Sequence, residues 1–142
     1  MNIPKSIKLR MINPLLILIT ALLYSLNNGF IKNATHGWFG AFFSCYFNDL
    51  ICPLFLLSYS NLLLVSINRE ITSLRATLLL CFASGIVWEY LAPYFKSNAV
   101  SDPNDILCYL LGSYIYWLIL RRFSPPLHKH NHQISRLRRN AK

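Results

Sequence analysis

The composition of this chain argues against a water-soluble domain, because 54% of its 142 residues are hydrophobic and only 13% are charged. The length suits a single domain. A formal net charge of +9 would suit a nucleic-acid-binding protein, but the basic residues lie beside apolar segments, where they meet lipid head groups instead. The pattern therefore predicts a membrane protein that lies in the lipid bilayer and has no nucleic-acid partner.

The first apolar segment, Asn13 to Ile31, approaches the length of about 20 residues that a helix needs to cross the hydrocarbon core. The polar stretch NNG, residues 27–29, closes it. A cleaved signal peptide is an alternative, because three basic residues precede the segment within the first ten positions. Since no convincing small-residue cleavage site follows, we expect a retained membrane helix.

The second apolar segment, Gly37 to Ile67, is too long for one simple span. Its aromatic-rich beginning predicts an interfacial or re-entrant stretch, and a membrane helix is expected over about residues 45–66. The third segment predicts a helix over residues 74–95, with Pro93 marking its end.

The fourth helix is expected over residues 104–122. Asp102 and Pro103 before it are typical helix-start residues. Arg121 and Arg122 at its end interact favourably with the helix dipole. The chain therefore has four segments that are each able to form a membrane-spanning helix.

Four spans place nearly all lysines and arginines on one side of the membrane, and only Lys32 and Lys96 fall on the other. Positive residues near span ends are retained in the cytoplasm. We therefore predict an all-α fold, a polytopic transmembrane bundle of the cell inner membrane over residues 13–123, with both termini cytoplasmic. Residues 1–12 form a basic N-terminus. Residues 124–142 form a basic, disordered tail that attracts anionic inner-leaflet lipids.

The predicted orientation gathers four of the five acidic residues at the outward end, namely Asp49, Glu89, Asp102 and Asp105. A carboxylate in hydrocarbon is costly, so it normally faces the bundle interior and has a partner. The acids therefore indicate a polar site, partly sunk in the membrane. Asp102 directly before Pro103 is also a typical helix N-cap, even where nothing binds.

A polar stripe on the fourth span supports an inward-facing site. Asp105, Tyr109, Gly112 and Tyr116 recur with the period of one helix face, and Gly112 would let a neighbouring helix approach closely. We expect Glu89 on the third span to meet the level of Asp105 and Tyr109. The predicted ligand-binding residues are Glu89, Asp102, Asp105, Asp49, Asn48 and Tyr109.

Two stretches resemble a known family. Glu89, followed after a short loop by SDPNDILCYLLG (residues 101–112), resembles the end of VanZ-like membrane proteins, where a glutamate-bearing helix precedes a loop and a helix with aspartates and glycines. YFNDLICPLFL (residues 46–56) is similar to the preceding span of small bacterial members, and Tyr109 stands where the family has asparagine. The resemblance, over roughly residues 45–120, implies a small bacterial inner-membrane protein of a family linked to glycopeptide-antibiotic tolerance.

Three functions are compatible with the acidic site. Clustered oxygens suit a cation or a polar, hydroxyl-rich head group, which makes binding the first hypothesis. The second is a membrane enzyme acting on a lipid or cell-wall precursor head group, with one carboxylate as general base and another holding a metal. The third is a structural or accessory protein without a ligand. Binding ranks first because no histidine, serine or cysteine accompanies the acids in a nucleophile-and-base spacing.

The remaining features predict no metal site and identify no cofactor. The four cysteines lack metal-knuckle spacing and are expected to be small buried hydrophobes. The stretch HKHNH, residues 128–132, belongs to a polar tail that is expected to be solvated. Four short helices enclose little volume, so assembly into a homo-oligomer is an open alternative.

The predicted topology can be tested with reporters fused after Lys142. Green fluorescent protein at this position should fluoresce, and alkaline phosphatase should be inactive, because the basic residues after the fourth span are held in the cytoplasm. A phosphatase fusion that is active there would contradict the topology.

Overall fold

The computed structural model describes residues 5–67, 69–95 and 102–123. Within these ranges all regular elements are helical, which confirms the predicted all-α fold. Two π-helical turns, Asn27–Ile31 and Val87–Leu91, follow the first and fifth α-helices. The α-helices are α1 (Lys5–Leu26), α2 (Lys32–Ala34), α3 (Gly37–Cys45), α4 (Phe47–Val65), α5 (Leu74–Ile86), α6 (Ala92–Phe95) and α7 (Pro103–Phe123). The predictions made for Lys96 and for the tail over 124–142 lie outside the described residues.

The described residues contain four helical stretches that are long and apolar enough to cross a membrane, so the predicted number is confirmed. They are Met11–Ala34, Gly37–Val65, Leu74–Leu91 and Pro103–Phe123. Large apolar side chains such as Leu18, Trp38 and Leu79 are exposed on the outside. Several polar side chains are buried inside: Asn13, Thr20, Asn27, Ser58, Asn61, Thr77, Glu89 and Ser113. An apolar surface around a polar interior suits lipid as the solvent, and the chain is a multi-pass membrane protein.

The first span includes the polar stretch 27–29, as predicted for residues 13–31, and extends a little further at both ends. The helix widens into the π-helical turn and continues to Ala34. Asn27 can remain inside the bundle because its Nδ2 donates to the carbonyl of Phe43 at 2.9 Å and to Oδ1 of Asn48 at 3.0 Å. Hydrogen bonds to neighbouring helices offset the cost of placing a polar side chain in the membrane interior.

The aromatic-rich beginning of the second segment forms α3, a separate helix of 9 residues. Gly37 starts it with φ of +66°, a left-handed conformation that side chains other than glycine rarely adopt. Tyr46 separates α3 from α4. The interfacial or re-entrant placement of α3 stays a prediction.

The central pair of the bundle is formed by α4 and α7, with α1 packed against α4 and α5 packed against α7. Gly112 allows α4 and α7 to approach closely, because a Cβ atom at this position would collide with the carbonyl of Leu50 and touch the Pro53 ring. The apolar part of the core combines the four long helices and consists of Leu16, Leu57, Cys81, Tyr116 and Leu120.

The prediction that the cysteines are buried is confirmed for Cys81, wrong for Cys45 and Cys52, and only partly met by the half-buried Cys108. Cys81 is fully buried in the core, whereas Cys45 and Cys52 are exposed. Cys45 is the last residue of α3, and Cys52 lines an open groove described below. An apolar neighbourhood in the sequence therefore did not determine which face of a helix each thiol occupies.

A buried hydrogen-bond network holds α1, α4 and α7 together. The hydroxyl of Tyr116 donates to Oδ1 of Asn13 at 3.0 Å and accepts from Nδ2 of Asn61 at 2.7 Å. The Asn61 amide also pairs with the backbone of Ile71, donating to its carbonyl at 2.9 Å and accepting from its N–H at 2.6 Å. Asn61 thereby fixes the connection between α4 and α5 to the helix core.

Replacing Asn61 by leucine should lower the free energy of unfolding by about 1–3 kcal/mol, because both backbone groups of Ile71 lose their partner. Thermal unfolding in a non-ionic detergent would show this as a lower melting temperature. Ser58→Ala on the same helix is a matched control, since the fully buried Ser58 hydroxyl has no partner among the described residues. Equal losses in both variants would contradict the role assigned to Asn61.

Candidate functional site

The four acids that the sequence placed together do lie at one end of the bundle, which we call the acidic end. Asp105 is within electrostatic range of Asp49, Glu89 and Asp102. They come together because α4 and α7 begin at this end and the π-helical turn Val87–Leu91 finishes the third span here.

Basic residues lie mainly at the opposite end. Lys32, near the end of the first span, is close enough to Asp49 to attract it. The arginines described after the first helix are in the α4–α5 connection, at the start of α5 and at the end of α7, namely Arg69, Arg75, Arg121 and Arg122. The described residues of the acidic end therefore carry an excess of formal negative charge.

Glu89 is the most deeply buried of the acids, with 5% of its surface exposed. Its Oε2 accepts a hydrogen bond of 2.9 Å from the backbone N–H of Asp102. The sequence predicted Glu89 at the level of Asp105 and Tyr109. Glu89 is within electrostatic range of both, and its hydrogen bond reaches the residue directly before α7. A π-helical turn carries Glu89, and such turns are frequent at functional sites.

Asp102 ties the start of α7 in place. Its Oδ1 accepts from the N–H of Asn104 at 3.0 Å, which is the bond of a helix N-cap. Its Oδ2 accepts from the hydroxyl of Tyr46 at 3.2 Å. Both carboxylate oxygens of Asp102 already have hydrogen-bond partners. Asp102 therefore fixes the shape of the site and does not present a free ligand-binding group.

Two buried oxygens at the acidic end lack a hydrogen-bond donor within the described part of the chain. One is Oδ1 of Asp105, and the other is Oδ1 of Asn27, a side chain with no exposed surface. The Nδ2 of Asn27 bonds to Asn48, which is next to Asp49 in α4. Buried acceptors normally have a partner, so these two oxygens are exceptions within the described residues, although neither Asp105 nor Asn27 lines the groove described next.

A groove of about 430 Å³ adjoins the acids and runs between α1 and α4. Trp88 from the π-helical turn and Tyr109 from α7 complete its walls. Gly85 on α5 lies beside the Tyr109 ring. The groove is lined by Thr20, Ala21, Tyr24, Ser25, Asn48, Asp49, Ile51, Cys52, Phe55, Trp88 and Tyr109.

The structure thus brings three of the predicted site residues, Asn48, Asp49 and Tyr109, to the groove wall. Sequence reasoning missed Asn27 and the contribution of α1 to the groove. The sequence signal that could have indicated a buried Asn27 was a polar amide inside a segment whose apolar pattern continues after it. No pattern in the sequence indicated that α1 would line a groove with α4, because this depends on how the helices pack.

The acids do not form a compact metal cage. Among the residues that the structure describes, no three histidine, cysteine, aspartate or glutamate side chains are grouped closely enough to hold a metal ion.

No protein-family model matches the chain, and comparisons with curated proteins and with solved structures give no significant match. What the site can bind therefore follows from its own geometry and chemistry.

Two variants of Glu89 separate its hydrogen bond from its charge. Glu89→Ala should lower the free energy of unfolding by about 1–3 kcal/mol, because the N–H of Asp102 loses its acceptor. Glu89→Gln keeps an acceptor oxygen and removes a charge near Asp49 and Asp105, so its melting temperature should equal or exceed that of the wild type. If Gln destabilised the protein as much as Ala, the charge itself would be the stabilising element.

Proposed function

We propose that this chain is a multi-pass protein of the cell inner membrane that binds a polar group, positively charged or rich in hydroxyls, at its acidic end. Both termini are assigned to the cytoplasm, so the site faces outward. The support for this orientation is the excess of lysines and arginines at the opposite end of the described helices. In a cytoplasmic location, the basic tail of residues 124–142 would bind anionic lipids.

The observation that carries the proposal is a carboxylate, Asp49, on the wall of an open groove at an end where four acids lie close together. Among the described residues, no donor reaches the buried Oδ1 of Asp105, so the negative charge beside Asp49 is only partly compensated. An ammonium group would supply the positive charge that this end lacks, and hydroxyls would donate hydrogen bonds to the Asp49 carboxylate. A phosphate or carboxylate would be repelled.

The site residues have different roles in this proposal. Asp49 and Asn48 contact the bound group, Asp105 adds negative charge close to Asp49, and the Tyr109 ring forms part of the wall. Glu89 and Asp102 are positioning residues, because the bond to Glu89 joins the third span to the residue before α7, and the Asp102 side chain caps α7 and accepts from Tyr46. This division explains why acids of the same chemistry differ in burial and in partners.

We also propose a relation to the VanZ-like family, which stays a prediction. It is supported by the closeness of the residues that carry the resemblance, since Glu89 bonds to Asp102 and Gly112 contacts the 46–56 stretch at Leu50.

Soluble probes test the binding proposal. Ethanolamine and putrescine should raise the melting temperature of the protein in a non-ionic detergent, because a molecule that binds only the folded state stabilises it by about 2.7 kcal/mol at 100 times its Kd. Sodium chloride at equal ionic strength should not. Asp49→Asn should abolish the shift, whereas Glu70→Gln, which changes an exposed acid in the α4–α5 connection, should not. The proposal fails if neither amine stabilises the wild type, or if Asp49→Asn responds as the wild type does.

A further inference from the structure

The groove extends well beyond the space beside the acids. Its volume of about 430 Å³ falls within the range of sites for small organic molecules. Away from Asp49, its wall is formed by apolar groups such as Ala21, Ile51 and Phe55. A hydrophilic ammonium or polyol ligand alone would leave this apolar part without a complementary partner.

The polarity of the wall changes along the helix axis. On α4, Asn48 and Asp49 lie in the first turn, Ile51 and Cys52 in the next, and Phe55 one turn deeper. These positions share one helix face. From Asn48 to Phe55 the groove therefore changes from polar to apolar over about 10 Å, at a rise of 1.5 Å per residue.

The groove is open at the side of the bundle. Three aromatic residues on its wall retain much of their exposed surface, with Tyr24 at 54%, Phe55 at 41% and Trp88 at 62%. The outside of the bundle at this depth faces lipid, so the groove is accessible to hydrocarbon chains.

We propose that the ligand is an amphiphile that bears an amine. Its ammonium group lies against Asp49 at the acidic end, and its hydrocarbon chain lies in the groove between α1 and α4. Three observations carry this inference: the carboxylate on the wall, the apolar continuation of the groove, and its opening towards lipid. The inference rests on the proposed function and adds that the bound molecule comes from the outward leaflet.

Trp88 provides a reporter for the chain of such a molecule, because it lines the groove. The other two tryptophans can be replaced in a Trp38→Phe, Trp117→Phe protein, reconstituted in phosphatidylcholine vesicles. Bromine on a hydrocarbon chain quenches tryptophan fluorescence on contact. The probe is a long-chain alkylamine with a brominated chain. An alkyl sulfate with the same brominated chain is the control, because it measures the quenching by unbound chains in the bilayer.

The amine probe should quench Trp88 saturably and beyond the sulfate baseline. In Asp49→Asn, about tenfold more amine probe should be needed for half of this excess quenching, because a charge-assisted hydrogen bond is lost. Ala21→Phe should remove the excess quenching by filling the groove, while the stabilisation by ethanolamine remains. Glu70→Gln should change neither result.

Each other outcome overturns the inference in a distinguishable way. If ethanolamine stabilises the protein but the amine probe quenches no more than the sulfate, the acidic site binds soluble groups and the groove takes no chain. If both probes quench saturably and equally, the groove takes chains without regard to charge and the inference fails, whereas the proposed function is decided separately by whether ethanolamine stabilises the protein. If Ala21→Phe converts a dimer into a monomer, the groove is an interface between copies of the chain.

Discussion

The hydroxyl of Tyr116 is the point on which the arrangement of the helices depends. It is fully buried and joins Asn13 of α1 and Asn61 of α4 to α7. Lipid offers no hydrogen-bond partners, so a polar group on any of these helices is satisfied only when the three helices align at this level. The network therefore selects one register among the many that apolar packing alone would permit.

Once this register is set, the distant acidic end follows from helix geometry. Gly112 lies about one turn before Tyr116 and meets the carbonyl of Leu50, which places the start of α7 beside the start of α4. Asp105 and Asp49 are then neighbours, and Glu89 reaches the backbone of Asp102 across the α5–α7 contact. The Tyr116 hydrogen-bond network in one half of the bundle thus positions charged groups in the other half.

The two ends differ in the kind of polar atom that is left without a partner in the described residues. Near the Tyr116 network these atoms are the Nδ2 of Asn13 and the hydroxyl of Ser58, both able to donate. At the acidic end they are carboxylate and amide oxygens, on Asp105 and Asn27, which only accept. The second case combines missing donors with surplus negative charge, and the binding proposal concerns this end of the bundle for that reason.

The sequence by itself determined the four spans, because an apolar stretch of about 20 residues has few stable alternatives to a membrane helix. It also determined that the acids share one end, since consecutive spans alternate in direction. The tertiary structure alone decided that Asn27 is buried, that Asp102 uses both its oxygens, and that α1 and α4 enclose a groove. These features depend on which faces of the helices meet, and in a segment that is apolar on nearly all sides the pattern does not specify that face.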